Sequence, residues 1–322
     1  MPELFEAYDD LEELAERLRV PDAAVRRVAV IELGNSGDPS AVTYLESLVS
    51  DPDAGVRQQV ALALGEFDGP SAAGVLSTLL VDSDNAVASA AADSMAELKD
   101  PASADAILPL VDHGSAFVRM SALRALKELR RRDALKPALD ALRDGDPAVR
   151  VQAISVIGFL KMEEAVPALT ASTADPDAQV RRAAVSSLAF SNLKPAADSV
   201  TRALNDNDWM VRETASETLG SMKNGLQSAP ALLGALSDNF WQVRLKAARS
   251  LGKMKVKEAV VAIAANLTHE QTNLRKEAAA ALGEIADSAA APYLDAVLND
   301  PDPEVRKNAR WAVQQILLNK PA

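Results

Sequence analysis

Asp51-Pro52-Asp53-Ala54-Gly55-Val56-Arg57-Gln58-Gln59-Val60-Ala61-Leu62-Ala63-Leu64-Gly65 reads as a turn, an acidic helix cap and a short helix closing on glycine. The phrase returns every 31 residues. With its arginine as anchor, copies fall at Arg26, Arg57, Arg119, Arg150, Arg181, Arg212, Arg244, Arg275 and Arg306, while Ala88 holds the slot in the third copy. One step, from Arg212 to Arg244, is 32 residues long. Ten copies at a fixed period are the signature of a solenoid, in which each unit buries its apolar face on its neighbours.

Each unit reads as two helices. Twelve and eight residues before the anchor stand two apolar columns, for example Leu45 with Val49 and Leu76 with Leu80. Their spacing of four puts both on one face of a first helix. In the second helix, valine or leucine precedes the anchor, and alanine follows it by three residues except at Val60. Leucine, isoleucine, methionine or valine follows by seven, completing one buried stripe. Asp22, Asp53, Asp84, Asp146, Asp177, Asp208 and Asp302, four before the anchor, are expected N-caps. Gly34, Gly65, Gly158, Gly220, Gly252 and Gly283, eight after it, are expected left-handed helix stops. Pro167, Pro230 and Pro292 share one slot in the first helix and suggest a bend or a late start there. No segment alternates as a strand would, so the chain is expected to be all-α.

Asp-x-x-Val-Arg-x-x-Ala-x-x-x-Leu-Gly on a two-helix unit resembles the HEAT repeat, in the short form of phycobilisome-lyase-like proteins. The resemblance covers about residues 4 to 316. It implies a right-handed α-α superhelix of about ten two-helix repeats, with the second helices lining the concave side. The repeats run approximately 4–34, 35–65, 66–96, 97–127, 128–158, 159–189, 190–220, 221–252, 253–283 and 284–316, in one solenoid over residues 1–322. Proteins of this kind are mostly binding scaffolds, some are bilin lyase subunits, and a few are enzymes.

Composition narrows the chemistry. Hydrophobic residues make up 48% of the chain but aromatics only 4%, which suits close helix stacking better than one large core. There is no cysteine, so thiolate chemistry and disulfides are excluded. A net charge of -12 argues against non-specific nucleic-acid binding, which needs cations to displace counterions. No apolar stretch approaches the ~18 residues of a membrane span. The start, with Glu3, Glu6, Asp9 and Asp10, is unlike a signal peptide, and a cytoplasmic monomer is expected.

No catalytic set emerges. The two histidines, His113 and His269, both fall six before the anchor, in the turn slot held elsewhere by Asp51, Asp82, Asp144, Asp175, Asp206, Asp238 and Asp300. Lying five repeats apart, they cannot share a metal. His269-Glu270 is similar to the His-Glu pairs of deoxyhypusine hydroxylase, a di-iron HEAT-repeat enzyme, but that site needs several pairs. The glycines end helices rather than opening them, so no phosphate loop exists. A HEAT-like glycosylase would want a basic groove. The local basic runs, Lys127 with Arg130 to Arg132 and Lys253, Lys255 and Lys257, read as solvated helix ends. The arginine column reads as ion pairs with the cap aspartates of the same or an adjacent unit. Ala88 and Ser115 look like one rung that lost both ends, which hints that an arginine reaches into the following repeat.

Positions that break the pattern carry the functional expectation. Trp209, Met210, Phe240 and Trp241 fall at the turn before the second helix of units seven and eight, where the extra residue of the long step is also expected. Neighbouring units would place them roughly 10 Å apart as one ridge. Met120, Val151 and Leu245, one after the anchor, put apolar side chains on a face expected to be wet, beside Asp93, Arg124, Glu217, Arg249 and Trp311. Exposed apolar residues are common singly, and the turn aromatics could merely cover an irregularity. Together they suit a helix or loop of a partner protein. The expectation is a non-enzymatic scaffold that binds another protein and needs no cofactor. The alternatives are a bilin lyase subunit or chromophore chaperone using Arg124, Lys246 and Arg249, or an accessory protein in iron–sulfur or cofactor assembly.

Overall fold

The computed structural model describes residues 11–319. The acidic N-terminal stretch with Glu3, Glu6, Asp9 and Asp10 lies outside them. The first helices of the pairs are α1 Leu11–Arg17, α3 Ala41–Glu46, α5 Pro70–Leu79, α7 Ala104–Ile107, α9 Leu135–Ala141, α11 Val166–Ser172, α13 Lys194–Ala203, α15 Ala229–Ala235, α17 Val260–Ala264 and α19 Ala291–Asp295. The second helices are α2 Ala23–Asn35, α4 Ala54–Ala63, α6 Asn85–Met95, α8 Ala116–Leu129, α10 Pro147–Leu160, α12 Ala178–Ser187, α14 Trp209–Leu219, α16 Trp241–Lys253, α18 Thr272–Ile285 and α20 Pro303–Leu318. No strand occurs among the described residues. The chain divides into two compact units, Met1–Leu160 and Lys161–Ala322. In the first, α2, α4, α6, α8 and α10 stack in order; in the second, α12, α14, α16, α18 and α20 do the same.

The columns explain the stack. The alanine column is fully buried, as at Ala29, Ala122 and Ala215. Aspartate caps the second helices as expected: Asp53 accepts from the Val56 N–H at 2.9 Å and Asp302 from Glu304 at 2.8 Å. Pro167, Pro230 and Pro292 stand in the first turns of α11, α15 and α19, where a missing N–H costs nothing, so they mark late starts.

Glycine does a different job from the one expected. Gly220 has a right-handed φ of −67°. The column instead lets successive second helices touch: a Cβ on Gly252 would lie 2.8 Å from the Ala281 Cα, and one on Gly34 would lie 2.9 Å from the Ala63 Cβ. The left-handed position is three residues further on, at Gly37, Arg130, Lys161, Lys255 and Ala286. Four of those five are not glycine, so the reversal is imposed by packing and not by backbone permissiveness. The extra residue of the 32-residue step is also elsewhere. It lengthens the 3-10 link Gly225–Ser228, which has four residues against three at Pro101–Ser103 or Lys257–Ala259. The aromatic turns keep their ordinary spacing.

The arginines form clamps, but not with the capping aspartates. An arginine followed by an aspartate 25 or 26 residues ahead, in the turn slot six before the next anchor, reaches that aspartate, as Arg57 and Arg212 do. Arg57 donates from Nε and Nη2 to Asp82 at 2.6 and 2.9 Å, and Arg181 does so to Asp206 at 2.7 and 2.8 Å. The same fork binds Arg26 to Asp51, Arg119 to Asp144, Arg212 to Asp238 and Arg275 to Asp300. Nη1 meanwhile donates to its own turn, as Arg57 does to the Asp51 carbonyl at 2.7 Å. The aspartate also accepts the N–H two residues on, as Asp82 does from Asp84 at 2.8 Å. Arginine thus reaches into the following repeat, as the sequence hinted. The lost partner of Ala88, however, is His113 and not Ser115.

These carboxyls sit below the usual carboxylate range. For Asp82, Asp144 and Asp300 the arginine bond is the main cause. At Asp206 and Asp238 burial pushes upward most strongly, yet the arginine and backbone bonds outweigh it.

Two outcomes follow from the clamps. The Arg181 and Asp206 side chains are 16% and 11% exposed, so Arg181→Ala leaves a largely desolvated carboxylate unpaired. The expected loss is about 2 kcal/mol in a chemical denaturation, between the ~0.2–1 of an exposed pair and the ~3–5 of a buried one. A depressed folded value means the folded chain holds fewer protons than the unfolded chain in acid. The clamp contribution is therefore complete above the unfolded carboxylate value of about 4 and is lost as pH falls through the lower folded values. Melting temperature should drop more steeply below pH 4 in the wild type than in Arg181→Ala.

Candidate functional site

The turn entering most second helices is built from two aspartates, one holding the neighbouring arginine and one capping the helix. Repeat eight changes this. Asp238 remains, clamped by Arg212 at 2.7 and 3.0 Å, but Phe240 stands in the capping slot and supplies no side-chain cap. Its backbone N–H still donates to Asp238 Oδ1 at 2.9 Å, so the turn itself is kept. The Phe240 ring lies over Trp209, the first residue of α14, with centroids 5.2 Å apart and planes 8° from parallel. The Arg212 guanidinium lies 5.7 Å from the same ring. Phe240 is 41% exposed and Trp209 half-buried. An open cleft of about 650 Å³ adjoins, lined by Asp206, Arg212, Pro230, Gly234, Asp238 and Asn239. Arg212 is therefore shared between clamp, ring and cleft.

The other expected residues distribute as follows. Met210 is half-buried and its N–H donates to the cap Asp208 at 2.8 Å. Trp241 begins α16, half-buried, outside the stacked pair. Leu245 lies one turn along α16, also half-buried. Met120 on α8 and Val151 on α10 stand on neighbouring second helices of the first unit and are half-buried too. Trp311 packs against Gly283, which has no room for a Cβ there.

Exposed apolar residues were missed, among them Val28, Ile31 and Leu62 on the second helices α2 and α4, at 46%, 42% and 47%. Ile31 and Leu62 are equivalent, five after their anchors, so reading that column for hydrophobicity would have found them. The basic residues considered for a bilin are already engaged. Arg124 pairs with Asp93 at 3.0 Å, Lys246 with Glu217 at 2.7 Å and Arg249 with Glu277 at 2.6 Å. His113 and His269 are turn acceptors: their Nδ1 atoms take the N–H of Ser115 at 3.2 Å and of Gln271 at 3.0 Å. No helix among the described residues is long and apolar enough to cross a membrane.

The repeat architecture is shared with known proteins. The model for HEAT repeats matches six times, at residues 11–96, 73–142, 104–189, 135–220, 171–239 and 229–314. The chain belongs to the HEAT-repeat family. No curated protein matches the sequence. Among solved structures, an engineered protein is similar at 20% identity with a TM-score of 0.51, over 96% of this chain and 99% of its own. Kap95p, solved with RanGDP, is similar at 16% identity with a TM-score of 0.61, over 96% of this chain and 48% of its own. Kap95 in complex with Nup1 gives 17%, 0.60, 96% and 49%. The chain thus spans about half the length of these karyopherins, and at such identities the likeness is one of fold.

Proposed function

We propose that this chain is a non-enzymatic scaffold that binds a partner protein on the turn edge of repeats seven and eight. The Trp209–Phe240 stack is the anchor, with Met210, Trp241 and Leu245 around it. One observation carries the reading. Phe240 gives up a helix cap that is an aspartate in seven of the ten second helices and, unlike Ser115 and Gln271 in the same slot, leaves a large ring in water. A missing cap costs about 1 kcal/mol, and an exposed aromatic pair returns about 0.5–1.5. Stability therefore does not select phenylalanine here, whereas desolvating aromatics is what interface hot spots do. The adjoining cleft offers room for a side chain or loop of the partner. Met120 and Val151, with Ile31 and Leu62, form a secondary apolar set on the second helices of the first unit. The karyopherin-like fold is consistent with the reading, since Kap95 is known in complexes with the proteins Ran and Nup1.

Restoring the repeat consensus tests the anchor. Phe240→Asp reinstates the cap, so it should stay within about 1 kcal/mol of wild-type stability while losing most of the partner recovered in affinity capture with mass spectrometry. Undiminished recovery of the same protein by the folded variant would reject the anchor.

A further inference from the structure

The row of clamps has an open rung inside the second unit. Arg244, on α16, should reach the residue 25 positions ahead, as Arg275 reaches Asp300. That residue is His269. Its Nδ1 accepts the Gln271 N–H at 3.0 Å, doing the part of the aspartate that holds the turn. An accepting Nδ1 fixes the neutral tautomer, with the proton on Nε2. A slot that elsewhere presents a carboxylate to arginine therefore presents an N–H. Arg244 has turned accordingly: its Nε, rather than Nη1, donates to the Asp238 carbonyl. Neither of its Nη groups has a protein acceptor among the described residues. Asp238 is itself held by Arg212. Arg244 and His269 are both half-buried.

The turn of repeat nine has also lost its second aspartate, to Gln271, and its one remaining carboxylate, Glu270, is exposed. The other histidine turn differs in the decisive respect, because Ala88 supplies no cation to His113. Arg244 also starts one helical turn from Phe240 and Trp241, on the same edge as the aromatic stack.

We infer that the Arg244–His269 rung is a recognition site for a carboxylate supplied by the partner. An aspartate or glutamate side chain there would accept from the Arg244 Nη groups and the His269 Nε2–H, completing in trans the clamp that turn aspartates such as Asp206 and Asp300 complete in cis. The partner segment is thus one that carries an acidic residue close to the apolar residue seated on Trp209 and Phe240. This deepens the partner-binding reading and rests on it. A carboxylate is favoured over a phosphate because the rung is shaped, in every closed copy, around a two-oxygen planar acceptor.

The probes are acetylated, amidated fluorescent peptides with one glutamate three residues from a phenylalanine, and their glutamine and phosphoserine counterparts. Blocked ends leave the side chain as the only carboxylate. Binding to the full chain is followed by fluorescence anisotropy. The glutamate peptide should bind at least tenfold tighter than the glutamine peptide. His269→Asp should close the rung in cis, raise the melting temperature by about 2 °C, and reduce the glutamate peptide to the glutamine value. Closing the other gap with Ala88→Arg and His113→Asp should leave peptide affinity unchanged. Equal affinities, discrimination that survives in folded His269→Asp, or a tenfold preference for phosphoserine would each overturn the inference. Equal binding of all peptides that is lost in Phe240→Asp would sink the rung and spare the aromatic anchor.

Discussion

The structure depends on a guanidinium that serves two repeats at once. Nη1 holds the carbonyls of its own turn while Nε and Nη2 grip the carboxylate of the next, as Arg181 does with Asp175, Pro176 and Asp206. That aspartate in turn accepts the N–H of Asp208 at 2.9 Å. A helix stack built from alanine and leucine has little shape specificity, since small residues pack at many offsets. The clamp removes this freedom, because planar bidentate pairing tolerates only a narrow range of angles. Its low exposure keeps water from competing, and the backbone bonds satisfy the remaining donors, which a desolvated ion pair requires. Apolar burial thus supplies most of the driving force, and the clamps fix the register of one repeat on the next.

Much of this was legible in the sequence because it is periodic. The columns located the helix pairs and the capping aspartates, while Pro167, Pro230 and Pro292 left a bend or a late start open until the structure put them in first turns. What was misread lies in relations between repeats, which a single period does not display. Two aspartates per turn are both plausible partners for the arginine, and only the geometry separates the cap, four before the anchor, from the clamp, six before it. Gly252 looks like a helix stop by position, yet its role is set by Ala281 on the following helix. The left-handed residues escaped notice because Arg130, Lys161, Lys255 and Ala286 have no compositional signal.

The candidate site was found through departures from the pattern, and its internal arrangement was not. The sequence placed Trp209, Phe240 and Trp241 on neighbouring turns. It could not say that Phe240 rather than Trp241 meets the Trp209 ring, since both follow from the same spacing. Nor did it separate the two histidines, which occupy one slot but face different neighbours. A broken rung next to Ala88 removes charge from both sides, while one next to Arg244 leaves a cation facing an N–H donor. Regular positions in this chain carry architecture, and the aromatic exceptions at the turns, Trp209, Phe240 and Trp241, stand in repeats seven and eight.

The central claim is that arginine immobilises the turn aspartate and through it the turn. Amide hydrogen exchange at the residue two after the slot tests this directly. The N–H groups of Asp84, Asp146 and Asp208 bond to arginine-held carboxylates, whereas those of Ser115 and Gln271 bond to imidazoles that no arginine holds. After correction for intrinsic rates, Ser115 and Gln271 should exchange at least tenfold faster than the three aspartate amides. Equal protection across all five turns would contradict the account.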